Sequence, residues 1–161
     1  MWSLTKTHQI GELVAAVAVV ISLIFVGLQI RDNTIASQAA TYQEAIAFDF
    51  NFLTNIGSNP DTARVFYAFR DDPDALTGDE LLQGQALVSA VVRHLENLYL
   101  QNQAGMLSDE GWRSREPFIR GFVQTPGFDR VLNGSSGGFY GGAFVNYVTQ
   151  LRAESEQEVE H

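Results

Sequence analysis

The chain has 161 residues, no cysteine, and 19 Asp and Glu against 10 Lys and Arg, for a formal net charge of −9. That balance argues against nucleic acid as a partner, because such binding rests on neutralising phosphates. The absence of cysteine excludes disulfides, thiolate nucleophiles and thiolate metal sites.

Residues 13 to 28, LVAAVAVVISLIFVGL, form an uncharged apolar block. At 1.5 Å per residue it covers about 24 Å, short of the ~30 Å hydrocarbon core of a bilayer, and extension to Ile10 and Ile30 completes a transmembrane helix. Residues 1–9 are then a flank, with Trp2 placed where interfacial aromatics anchor spans. Glu12 is the costly residue in the span. Its first-turn position lets the carboxylate reach the headgroups, and a buried functional role would need a partner that no second span supplies. A cleaved signal peptide is the competing reading. The only small-residue pair downstream, Ser37-Gln38-Ala39, follows Arg31 and Asp32 and lies well past the apolar block, so an uncleaved anchor is expected. Lys6 and the α-amine on one flank, against Arg31 offset by Asp32 on the other, lean towards a carboxyl-terminal domain outside the cytoplasm.

The whole net charge falls on residues 31–161, which are enough for one domain with its own core. Neither Gly nor Pro occurs between Gly27 and Gly57, so the anchor is predicted to run on as a juxtamembrane helix to about residue 56. Ile35, Ala39, Tyr42, Ile46, Phe50 and Leu53 recur at helical steps and form a candidate interface, facing a partner or the rest of the domain. Phe48 and Phe52 widen that apolar face.

Asn59-Pro60-Asp61 has the cap, first-turn proline and acidic residue of a helix start, here over about 60–70. The stretch Asp71-Asp72-Pro73-Asp74 lacks the ligand alternation, glycine and closing Glu of a calcium loop and reads as a solvated turn. Thr77 and Glu80 suggest a capping box and Gly105 a left-handed helix end, bounding a third helix over about 78–104. Its apolar face comprises Leu81, Val88, Val91, Val92, Leu95, Leu98 and Tyr99. Ser108 opens a fourth helix that Pro117 must kink or split. Thr125-Pro126 starts a short helix ending near Gly134, and a loop to about Gly137 leads into a last helix. Gly138 and Gly142, four apart, would let that helix approach a neighbour closely. Residues 153–161 are predicted to be an acidic, disordered tail. The fold class is thus all-α: a transmembrane helix at 10–30, continuous with a juxtamembrane helix and packed into a domain of four or five helices over 31–152.

Candidate chemistry is sparse. Gly134-Ser135-Ser136-Gly137-Gly138 has the letters of a nucleophile elbow without the preceding strand, and the only later histidine is His161, so a hydrolase is not expected. Asn133-Gly134-Ser135 fits a glycosylation acceptor. His94 shares a helical face with Leu87, Val91 and Leu98 and reads as a core histidine. Glu96, Tyr99 and Gln103 lie on a second line of the same helix, and Arg93 and Asn97 on a third. His94, Glu96, Tyr99 and Gln103 are the candidate polar cluster of a ligand-binding domain. Arg113, Arg115, Arg120 and Arg130 are candidate contacts for anionic lipid or an acidic partner; Glu116 and nearby acids make a solvated mixed-charge face the alternative. No catalytic, cofactor-binding or metal-ligating set is assigned.

The run VISLIFVGLQIRDNT, followed by an Ala- and Gln-rich helix and then by HLENLYLQNQAGMLSDEGW with a later TPGF, resembles a loose group of small uncharacterised bacterial proteins. The resemblance covers the chain to about residue 130; the Gly-rich stretch at 134–142 departs from it. It implies one amino-terminal span, a helical domain and a bacterial inner membrane, and it transfers no catalytic residue. The expected function is that of a non-catalytic accessory or scaffolding subunit of a larger membrane complex, for which an energy-transducing assembly is a natural host. Its partners would be lipid and other membrane subunits, with homo-oligomers open. The alternative is a membrane-anchored, extracytoplasmic ligand-binding or sensory domain.

Overall fold

Trp2–Ser58 forms a single α-helix, α1, in a computed structural model that describes residues 2–134 and 137–159. Ser135, Ser136 and His161, on which the elbow and glycosylation readings depend, lie outside the described residues, as do the side chains of Trp2 and Lys6. Within His8–Ser58 one stretch is long and apolar enough to cross a membrane, and none of its most apolar window is buried against protein. Leu13, Val14, Ile21, Phe25 and Leu28 are all exposed. A helix apolar on every side belongs in a core or in lipid.

The chain divides into two units, residues 1–39 and residues 40–161, so Ile35 and Ala39 go with the apolar segment and the rest of the stripe with the domain. In the first unit Glu12 has a neighbour that the sequence reading did not pair with it, His8, whose Nδ1 lies 3.2 Å from the carboxylate one turn earlier.

In the second unit the end of α1 is followed by α2 (Pro60–Asp71), a 3-10 turn (Pro73–Ala75), α3 (Gly78–Gln103), α4 (Asp109–Arg113), α5 (Glu116–Phe122), α6 (Pro126–Asn133), a second 3-10 turn (Gly137–Phe139) and α7 (Gly142–Val159). No strand occurs among the described residues. Pro117 splits the predicted fourth helix into α4 and α5, which raises the number of helices in the domain. Asn59 caps α2 as its sequence suggests, its Oδ1 accepting from the Asp61 and Thr62 amides at 3.1 Å. Helix α3 starts after Thr77, but the capping box does not close: Thr77 makes no side-chain cap bond, and Glu80 instead accepts from Arg64 Nη2 at 2.6 Å. Gly105 takes the left-handed conformation at φ 69° that ends α3.

Helix α3 is the hub, packing on α2 and α6 to one side and on α4 and α7 elsewhere. Phe69, Val88, Val92, Phe128, Val131, Phe144 and Val148 are fully buried. The close approach that sequence spacing placed at Gly138 and Gly142 is elsewhere: a Cβ at either would meet nothing within 4 Å, whereas one at Gly127 would sit 2.4 Å from the Phe69 carbonyl oxygen. Gly127 thereby lets the start of α6 lie directly on the end of α2. The last helix begins at Gly142, later than its apolar spacing suggested, and Phe139 stays exposed. Its other end continues past Arg152 to Val159 instead of stopping where the tail was expected, helped by the Gln150–Glu154 and Ser155–Leu151 bonds one turn apart.

Candidate functional site

The last turns of α1 meet the domain through a line that the sequence stripe missed. Ala45 and Ile56 are buried and Phe48, Asp49 and Phe52 half-buried, at steps of three and four. Phe52 meets Phe66 of α2 edge-on at 5.2 Å, and Phe48 stacks on the His94 imidazole of α3 at 3.9 Å and 12°. Rings, instead of close backbone approach, bridge α1 to its neighbours, and between them lies a cleft of about 400 Å³. Its walls are mainly aromatic and aliphatic, with Phe118 and Phe122 supplied by α5.

One end of the cleft is polar. Arg115, placed where α4 gives way to α5, is only 15% exposed and donates from Nη1 to Asp49 Oδ2 at 2.6 Å. His94, its side chain 8% exposed, sets Nε2 3.3 Å from Asp49 Oδ1, near enough for electrostatic attraction but without hydrogen-bond alignment. Burial pushes the imidazole pKa below its ordinary value; Asp49 pulls it up and Arg115 pushes it down, so burial prevails. The ring is therefore neutral at neutral pH. His94 Nε2 and Arg115 Nε are both buried without a hydrogen-bond partner among the described residues. Arg70, also on the cleft wall, is committed elsewhere: it holds Asp71 through Nε at 2.6 Å and Nη2 at 2.9 Å and covers the Tyr67 ring.

Ser114, the aliphatic hydroxyl on the cleft wall, donates to the Gly111 carbonyl at 3.0 Å and so does not present its proton to His94. A nucleophile needs its base within hydrogen-bond reach of that proton.

The other members of the predicted polar cluster do not join His94. Glu96, 6% exposed, pairs with Arg93 and accepts the Gly141 amide at 2.6 Å, while Arg93 also donates to the Phe139 carbonyl at 3.1 Å. The carboxylate thereby ties the loop before α7 to α3. Tyr99 stacks on Tyr147 at 4.9 Å, and burial, followed by the nearby Glu116, pushes the Tyr147 phenol up to about 12. Gln103 is exposed.

The four arginines also separate. Arg115 goes to Asp49, Arg120 to Glu116 and Glu154, and Arg130 to Asp74. Only Arg113 has no ion pair among the described residues, so the four do not form a free cationic patch. The interface stripe keeps its exposure: Ile46, Phe50 and Leu53 are 41, 68 and 67% exposed, and Tyr42 lies at its edge with its ring 6.0 Å from the Arg115 guanidinium. In the first unit, Ile35 and Ala39 are exposed as well.

Asp49 is the functional candidate that sequence reasoning missed. Its signal was present: an acid four residues after Ala45 and three before Phe52 falls on an otherwise apolar line, where a charge needs a partner. Comparisons with protein-family models, curated proteins and solved structures found no match.

Proposed function

We propose that this chain is a non-catalytic, membrane-anchored accessory or scaffolding subunit that works by contact with other membrane proteins. The observation that carries this reading is the exposed apolar face formed by Ile46, Phe50 and Leu53 beside Tyr42. The adjacent line of the same turns supplies Ala45 and Ile56 to the domain core, so the exposed residues are surplus to the domain's own packing. A contiguous apolar surface of this kind marks an interaction site, and aromatic side chains there favour a hot spot. The apolar segment of α1 is the anchor in this reading, set in a bacterial inner membrane with the domain outside the cytoplasm. Mild-detergent extraction of the native membrane, followed by native-gel separation and mass spectrometry, tests it. Co-migration with a defined set of larger membrane subunits is expected, and Phe50→Glu should abolish it while leaving the domain folded.

The cleft favours a second reading, a membrane-anchored ligand-binding or sensory domain. A pocket of ~300–1,000 Å³ with apolar walls and a few convergent polar groups is the usual form of a small-molecule site.

A further inference from the structure

We infer that the cleft takes an uncharged, ring-bearing apolar molecule, packed among the side chains of Phe52, Phe66, Phe118 and Phe122. The inference rests on the ligand-binding reading and names the class of ligand.

The charges on the wall set the charge of the occupant. Asp49 is engaged by Arg115 at 2.6 Å and lies 3.3 Å from His94, while Arg70 is held by Asp71 through two hydrogen bonds. Each of the two guanidinium groups on the wall thus has its carboxylate, and Asp49 has its cation. The two nitrogens without hydrogen-bond partners, His94 Nε2 and Arg115 Nε, are buried within the protein and have no surface to offer an occupant. A charged ligand would shed its hydration here without meeting an unpaired opposite charge, and a neutral one escapes that cost.

The rest of the cleft sets the body. Val91, Leu95 and Leu98 line it as buried residues and Leu53, Tyr67 and Phe118 as exposed ones, so it leads from solvent into the core. Rings come from three helices: Phe48 and Phe52 of α1 stack at 5.9 Å, Phe66 and Tyr67 of α2 meet edge-on at 5.3 Å, and Phe118 and Phe122 of α5 stack at 5.5 Å. A further ring would find both faces and edges to pack against. The volume of about 400 Å³ corresponds to on the order of a dozen waters. The Ser114 hydroxyl is committed to the Gly111 carbonyl, as the charged groups are to one another, so waters against these walls have few protein partners. Their release favours an apolar occupant.

The test uses the full chain in lipid nanodiscs with three photoreactive probes of one shape, benzophenone, its 4-carboxylate and its 4-aminomethyl derivative, at equal free concentration, and maps the labelled residues by mass spectrometry. The inference predicts that benzophenone labels segments 48–56, 66–70 and 114–122, that excess diphenylmethane competes, and that both charged probes label these segments about tenfold less or lower still. Phe118→Asp and Leu53→Asp each put a carboxylate on an exposed part of the wall, on different helices. Each should cut cleft labelling by benzophenone about tenfold with the helical circular dichroism unchanged. Competed labelling of the same segments by a charged probe, as strong as that by benzophenone, overturns the assignment of an uncharged ligand and leaves the ligand-binding reading standing. Labelling confined to residues 10–30, or cleft labelling that diphenylmethane and both substitutions leave unchanged, overturns both.

Discussion

Arg115 donates to Asp49 across 2.6 Å and 66 residues of sequence, tying the last turns of α1 to the start of α5. Asp49 is 39% exposed and Arg115 15%, so the pair sits at the margin of the core, where breaking it leaves one poorly solvated charge. Asp49→Asn is expected to destabilise the domain by about 1–3 kcal/mol, since the surviving guanidinium loses its charged acceptor. Adding Arg115→Gln to Asp49→Asn should cost much less than the sum of the two single changes. Chemical denaturation of the four proteins in the cycle measures this, and strict additivity would show that the contact carries no coupling.

The buried His94 makes stability depend on pH with a defined sign. An unfolded imidazole protonates near ~6.5, and the folded one, held down by burial against the opposing pull of Asp49, protonates lower. Between those values the unfolded chain binds the extra proton, so stability is constant above about 6.5 and falls as pH drops towards the folded pKa. Paired carboxylates act lower. Asp71 is held down by Arg70 and Glu80 by Arg64, and their contributions fade only as pH falls below ~4. Denaturation midpoints at pH 7.5 and 5.5 should therefore drop for the wild type and change less for His94→Gln. An unchanged slope in the variant would assign the effect to other groups.

Close packing at Gly127 is expected to be intolerant of a single methyl. Gly127→Ala places a Cβ against the Phe69 carbonyl and the Arg70 backbone, neither of which can move without shifting α2, and should cost about 1–3 kcal/mol or more. Gly138→Ala meets nothing within 4 Å and should stay within about 0.5 kcal/mol of the wild type. Thermal melts of the two variants compare the sites directly. The reverse ranking would refute the placement of α6 on α2.

Glu96 is expected to act as a structural clamp. Glu96→Ala frees the Gly141 amide and leaves Arg93 with the Phe139 carbonyl and the Tyr140 ring, so amide exchange at Gly141 should speed up markedly while α3 keeps its protection. Retained slow exchange at Gly141 would mean that the loop is held by other contacts.

The helices were legible because their signals are local. The Asn59 cap, the Gly105 turn and the Pro117 break all act through the backbone within a few residues. The site was legible only in part. His94 was visible as a polar residue on an apolar face, but its companions Asp49 and Arg115 come from other elements, and nothing local specifies that meeting. Glu96 and Tyr99, grouped with His94 by sequence, diverge because they lie about 200° and about 140° round the helix from it. The interface stripe was legible as a stripe, while its direction was not: the lines 42/46/50/53 and 45/49/52/56 are adjacent and both largely apolar, and only the rings of Phe48 and Phe52 against α2 and α3 decide which one the domain uses.

In the proposed function the exposed face of α1 touches another membrane protein. A photo-cross-linking side chain in place of Phe50, activated in the native membrane, tests this most directly, with the exposed Asp79 position as control. Adducts with one or a few defined membrane proteins are expected from the Phe50 position and none of these from Asp79. Adducts only with a second copy of this chain, or with no protein at all, would contradict it.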